Sequence, residues 1–176
     1  MQRWSNQDWQ EELRQEMFDL NTEALGFEDI EHLEKTSWIF KDALRMQPPL
    51  PAMPGYALEY FECNGDHIRA NTNVMVSALF THNMPEYWSN PSEFDPHRFS
   101  PDRAEDKEYF FQYIPFGGGA HKCLGLHFAE TQGTMFLFHL LKNYRVSKNP
   151  KLTRFKTIAF PLNHSTDGLK LTFTKI

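Results

Sequence analysis

The sequence is poor in cysteine: Cys63 and Cys123 are the only two in 176 residues. Two cysteines this far apart make no disulfide framework, so a reducing compartment is the default and each thiol must be explained by itself. No apolar run is long enough to span a bilayer, and Met1-Gln2-Arg3-Trp4 leads directly into polar sequence with no apolar leader. The expected chain is therefore soluble and cytoplasmic. Basic charge is also short: 18 Lys and Arg stand against 23 Asp and Glu, for a net charge of −5. That removes the electrostatic footprint of a nucleic-acid binder. There is no internal repeat, low-complexity segment or linker, and no Gly-Lys-Ser/Thr follows a glycine loop at P-loop spacing. Flavin and iron–sulfur motifs are missing too, so any redox chemistry would need electrons from elsewhere.

What is present is apolar and aromatic. A hydrophobic content of 40%, with 16 phenylalanines, argues for one packed domain rather than disorder. Ser5 or Asn6 caps a first helix on which Trp9, Leu13 and Met17 share a face, with the charged residues from Glu11 to Glu16 on the other. Phe27 to Leu33 reads as a short helix with a solvated acidic face. Thr36 or Ser37 caps a further helix holding Trp38, Phe40, Ala43 and Leu44, which stops before Pro48-Pro49. Strands are expected at Tyr56–Glu62, His67–Arg69 and Thr72–Ser77, with Asn64-Gly65 turning a hairpin between the first two. Cys63 beside that turn reads as structural or incidental. Ser77 to Asn83 suits a short helix, Met84 to Pro101 a proline-punctuated loop, and Asp102 to Glu108 a charged, exposed loop. A long helix from Leu124 to Asn143 carries Ala129, Phe136, Leu137, Leu140 and Leu141 as a core stripe. Strands follow at Tyr144–Ser147, Arg154–Phe160 and Leu169–Thr174, with Asp167-Gly168 turning into the last. The expected class is mainly α with small β-sheets (α+β).

One stretch concentrates chemistry: Phe116-Gly117-Gly118-Gly119-Ala120-His121-Lys122-Cys123-Leu124-Gly125. Glycines let a backbone turn tightly and approach a flat ligand, because no Cβ intervenes. A cysteine entering a helix N-terminus has its thiolate favoured by free N–H groups and the dipole. Such a thiolate suits an axial bond to a haem iron. By residue type alone the stretch also admits a plain turn, a phosphate cradle, a small buried cysteine, or zinc held by His121, Cys123 and His127. Upstream, Asp42 and Arg45 share a helix face at i,i+3, which by itself is the geometry of an ordinary surface ion pair.

The order of these residues resembles the haem-binding loop of the cytochrome P-450 family, the haem-thiolate monooxygenases. Phe116, Gly117, Gly119, His121, Cys123 and Gly125 fall at that loop's spacing, and Ala129 also fits. The resemblance implies that Cys123 is the proximal ligand of a heme b, that Phe116 packs near the thiolate and that His121 approaches a propionate. It implies that Asp42 and Arg45 stand for the family's Glu-x-x-Arg pair, Asp replacing Glu. Arg98, in Pro96-His97-Arg98-Phe99, then joins them as a buried scaffold. The family's propionate-binding arginine has no counterpart, its positions being Gly55 and Tyr56. Leu50–Pro54 and Pro161–Asp167 would line a substrate pocket. On this resemblance residues 1–176 are the C-terminal part of the fold, beginning after the long oxygen-binding helix. They would serve hydroxylation of an apolar small molecule with a ferredoxin- or reductase-type electron donor. A non-catalytic haem-binding remnant and a small zinc-binding domain using Cys123 and neighbouring histidines are the alternatives.

Overall fold

The computed structural model describes residues 7–148, 157–159, 162–166 and 168–176. The cap at Ser5 or Asn6 lies outside them, as do residues 154–156 and 160 of an expected strand, and Pro161 and Asp167 at the ends of the expected pocket loop. Helix α1 spans Gln7–Asp19, α2 Glu34–Met46, α3 Ala78–Thr81 and α4 Leu126–Asn143. The strands form two-stranded antiparallel sheets. β1 (Met53–Tyr56) pairs with β4 (Asn73–Val76), and β2 (Phe61–Cys63) with β3 (Asp66–Ile68). β5 (Tyr144–Lys148) pairs with β8 (Leu171–Lys175), and β6 (Thr157–Ile158) with β7 (His164–Ser165). This is the expected α+β class. Asn64 and Gly65 take the positive φ values, 50° and 87°, of a tight hairpin turn. The expected strand Tyr56–Glu62 is two strands, broken at residues 57–60. None of the described helices is long and apolar enough to cross a membrane.

The core sits where α1, α2 and α4 meet. Leu13, Met17, Leu25, Leu33, Phe138 and Leu141 are buried together there, each contributing roughly 1.5–3 kcal/mol by leaving water. Phe138, unmarked by the expected stripe, is fully buried, whereas Phe136 in that stripe is exposed. α2 and α4 come close because Gly133 has no side chain. A Cβ there would stand 2.4 Å from Cε2 of Phe40. Gly133→Ala is expected to destabilise the fold by about 1 kcal/mol, overpacking of roughly 1–3 kcal/mol being partly offset by alanine's better helix propensity. Urea unfolding checks this, and Phe40→Leu should relieve the variant while harming the parent.

The charged face of α1 is not simply solvated. Buried Arg14 donates from Nε to the Leu141 carbonyl (2.9 Å) and from Nη2 to that of Tyr144 (3.1 Å), satisfying orphan carbonyls at the end of α4. Glu16 accepts from the Lys35 amide (2.6 Å), the Thr36 amide (3.0 Å) and the Thr36 hydroxyl (2.8 Å). The N-terminus of α2 is thus capped by a carboxylate of another helix. Thr36 and Ser37, expected as caps, lie inside the first turn, which begins at Glu34 after Leu33. Both contacts also match charge to helix polarity, cation at a C-terminus and anion at an N-terminus. Gln10 does similar work for β5, its amide exchanging two hydrogen bonds with Val146 (2.8 and 2.9 Å).

Candidate functional site

The glycine loop is built by backbone geometry. Gly117 and Gly119 adopt φ of 74° and 67°, a region costly for residues with a Cβ. The Gly117 amide donates to Ile114 (3.1 Å), and the Cys123 amide donates back to the Phe116 carbonyl (2.9 Å), closing the loop on itself. Gly118 is extended, and a Cβ on it would lie 2.8 Å from the Phe111 ring. Gly125 is different: its φ of −83° is ordinary and a Cβ would stand 3.8 Å from Cys123 Sγ, so the backbone does not demand glycine there. Cys123 is a free, exposed thiol two residues before this N-cap of α4.

The loop forms one wall of an open concavity of about 830 Å³. Leu50, Met53, Val76, Phe111 and Phe116 line it with Gly117–Gly119, His121 and Cys123. Among the described lining residues, His121 alone can carry positive charge. Arg69 is exposed beyond β3 and is not part of the lining. Asn163 ties the described part of the expected pocket loop to the segment before β1, donating from its backbone N–H to the Pro49 carbonyl (2.7 Å). His127, 94% exposed, lies 3.8 Å from Glu130. Among the described residues no three His, Cys, Asp or Glu side chains gather into a metal-binding group. A bare backbone, apolar walls and an accessible thiol suit a flat, largely apolar ligand that carries a metal.

Behind the loop lies a buried ionic scaffold. Asp42, Arg45 and Arg98 are all 0% exposed, which rules out a surface pair. Arg45 Nε donates to Asp42 Oδ1 at 2.6 Å, and Arg98 Nε lies 3.2 Å from the same oxygen. Asp42 Oδ2 accepts the Asp95 amide at 2.7 Å. Arg45 also donates to the carbonyls of His82 (2.9 Å), Pro91 (2.8 Å) and Glu93 (2.9 Å). Burial pulls its pKa down, against the raising effect of Asp42.

Three successive residues just before the loop are pinned to this scaffold. Gln112 donates from Nε2 to the carbonyls of Tyr87 and Glu105. The Tyr113 hydroxyl donates to the Lys41 carbonyl (3.0 Å), and burial pushes its pKa well up. The Ile114 amide donates to Nε2 of buried His82 (2.9 Å), whose Nδ1 faces the Arg45 carbonyl at 3.1 Å. A ring that accepts on one nitrogen and donates on the other is neutral, and burial lowers the His82 pKa to about 4.

The sequence profile of the cytochrome P-450 family matches residues 4–170. The chain belongs to the cytochrome P-450 family. It is 35% identical over 153 residues to cytochrome P-450 26A1 of Danio rerio, covering 86% of this chain and 30% of that protein. It is 32% identical over 139 residues to putative cytochrome P-450 136 of Mycobacterium tuberculosis, covering 79% and 28%. The solved structure of retinoic acid-bound cyanobacterial CYP120A1 superposes with a TM-score of 0.90 at 25% identity, over 96% of this chain and 39% of that one. The chain thus spans under a third of the length of these curated relatives.

Of the residues singled out by the P-450 resemblance, Phe116, Gly117, Gly119, His121 and Cys123 stand together at the concavity, and Asp42, Arg45 and Arg98 meet behind it. Gly125 and Ala129 sit at the start of α4, where the Ala129 amide donates to the Gly125 carbonyl (2.9 Å). Sequence reasoning missed His82, Gln112 and Glu105. Asp102–Glu108 is no plain exposed loop, because Glu105 is buried against Arg98. Gln112 between Phe111 and Tyr113 was the available signal, but nothing local said what it faced.

Proposed function

We propose that this chain is the haem-loop-bearing portion of a P-450 monooxygenase that hydroxylates an apolar small molecule. Cys123 would supply the axial thiolate to heme b, with Phe116 packed beside it, Gly117–Gly119 giving close backbone approach and His121 placed for a carboxylate of the cofactor. Asp42, Arg45 and Arg98 would hold the proximal scaffold. When bound, haem supplies the redox chemistry of O2 activation; electrons would come from a ferredoxin- or reductase-type partner. Leu50, Met53 and Val76 would exclude water from the apolar side. The observation that carries this reading is the free Cys123 thiol on a glycine loop at the rim of the 830 Å³ apolar concavity.

Haem titration of the purified chain tests it. The reduced, CO-bound form is expected to show a thiolate-type Soret band that survives Cys63→Ser and disappears in Cys123→Ser. Cys63 lies exposed in β2, away from the concavity lining. Persistence of the band in Cys123→Ser would overturn the assignment. Retinoic acid, carried by the CYP120A1 structure, is the first apolar probe to try for a perturbation of that band.

A further inference from the structure

Arg98 is shared between two carboxylates. Its Nε is only 3.2 Å from Asp42 Oδ1 yet makes no hydrogen bond, because the N–H is not aimed at that oxygen. Asp42 is already engaged by Arg45 on that oxygen and by the Asp95 amide on the other. The aligned carboxylate for Arg98 is Glu105, whose Oε2 accepts from Nη1 at 2.7 Å and from the Ser89 amide at 3.2 Å. Burial opposes the charge of Glu105, but Arg103 and Arg98 hold its carboxyl below the usual range.

These contacts close into a ring. Glu105 Oε1 pairs with Arg103, Arg103 Nη1 with Asp95 Oδ2 (2.6 Å), and the Asp95 amide returns to Asp42. From the ring two routes reach the residues before the glycine loop. One runs from Arg45 through His82 to the Ile114 amide; the other runs from Arg98 through Glu105, whose carbonyl accepts from Gln112.

We infer that Glu105 is a positioning residue: it supplies the second carboxylate that Arg98 requires, and through Gln112 it fixes the register of the loop bearing Cys123. A residue so placed works together with the length of the side chain at position 42. A glutamate there has one more rotatable bond with which to aim an oxygen at the unaligned Nε of Arg98, and takes over part of what Glu105 does.

The inference bears on the loop that the proposed function assigns to haem, but its test needs no haem. Native-state hydrogen exchange of Glu105→Gln is expected to accelerate the Ile114, Gly117 and Cys123 amides about tenfold or more. The β5–β8 ladder, remote from the ring, should change less. Adding Asp42→Glu to Glu105→Gln should restore slow exchange, while Asp42→Glu alone should not slow it. A uniform acceleration of all amides would reduce Glu105 to general stability and overturn the inference. So would unchanged exchange, or an equal effect of Asp42→Glu in both backgrounds. Failure to bind haem through Cys123 would instead overturn the functional assignment and leave this result standing.

Discussion

Asp42→Ala is expected to lower the unfolding free energy by roughly 3–5 kcal/mol, because it leaves buried arginine charge without its carboxylate. Arg45 and Arg98 are both 0% exposed and meet at the one Asp42 oxygen. Removal also strands the Asp95 amide, whose acceptor is the other oxygen at 2.7 Å. Water cannot enter to replace either partner without opening the packing of Trp88, whose ring lies 5.4 Å from the Arg45 guanidinium and 5.9 Å from that of Arg98. Asp42→Asn should fall between, since an amide oxygen can still accept while the charge is gone. Equilibrium urea unfolding of the three chains gives the comparison. A loss below about 1 kcal/mol, the range of an exposed pair, would mean that the scaffold is not closed in solution.

Acidification is expected to remove roughly 3 kcal/mol between pH 6.5 and 4 through His82 alone. The folded pKa is about 4 against an ordinary 6.5, with burial as the main cause. In that window the unfolded chain binds a proton that the native chain refuses, so stability falls as pH falls and is flat above the unfolded pKa. Protonation also destroys the acceptor of the Ile114 amide, so the loop anchor is lost at the same step. Asp95 and Glu105 act in a lower window: their carboxyls are held below the ordinary range, so their stabilisation is full above the unfolded values and is lost as pH falls from there through the folded ones. Unfolding free energies measured from pH 7.5 to 4.5 should slope in the parent and flatten in His82→Gln. An equal slope in both would assign the effect to other groups.

The fold was legible where the chain's own periodicity decides it. Leu13 and Met17 mark the buried face of α1, Asn64-Gly65 the hairpin, and Pro48-Pro49 the end of α2. The loop was legible because Phe116, the glycines and Cys123 are close in sequence. What escaped were side chains whose partners lie far along the chain. Arg14 looks solvated until Leu141 arrives, Glu16 until Thr36 does, and Glu105 sits in a charged run that would be exposed without Arg98. Phe136 failed for the converse reason: it lines an open groove shared with Trp9 and Leu13 of α1 and Ile39 and Phe40 of α2, so an apolar residue there remains exposed.

The two remote caps on α1 differ in how hard they are to reach during folding. Glu16 meets Thr36 across 20 residues, whereas Arg14 meets the Leu141 carbonyl across 127. Closing the larger loop costs about 1.6 kcal/mol more chain entropy. The α1–α2 corner is therefore the early event and the seating of Arg14 on the end of α4 the late one. Interactions absent from the transition state slow unfolding without speeding folding. On this ordering Arg14→Ala is expected to speed unfolding with little effect on folding, and Glu16→Ala to slow folding, although the two residues stand half a turn apart on one helix.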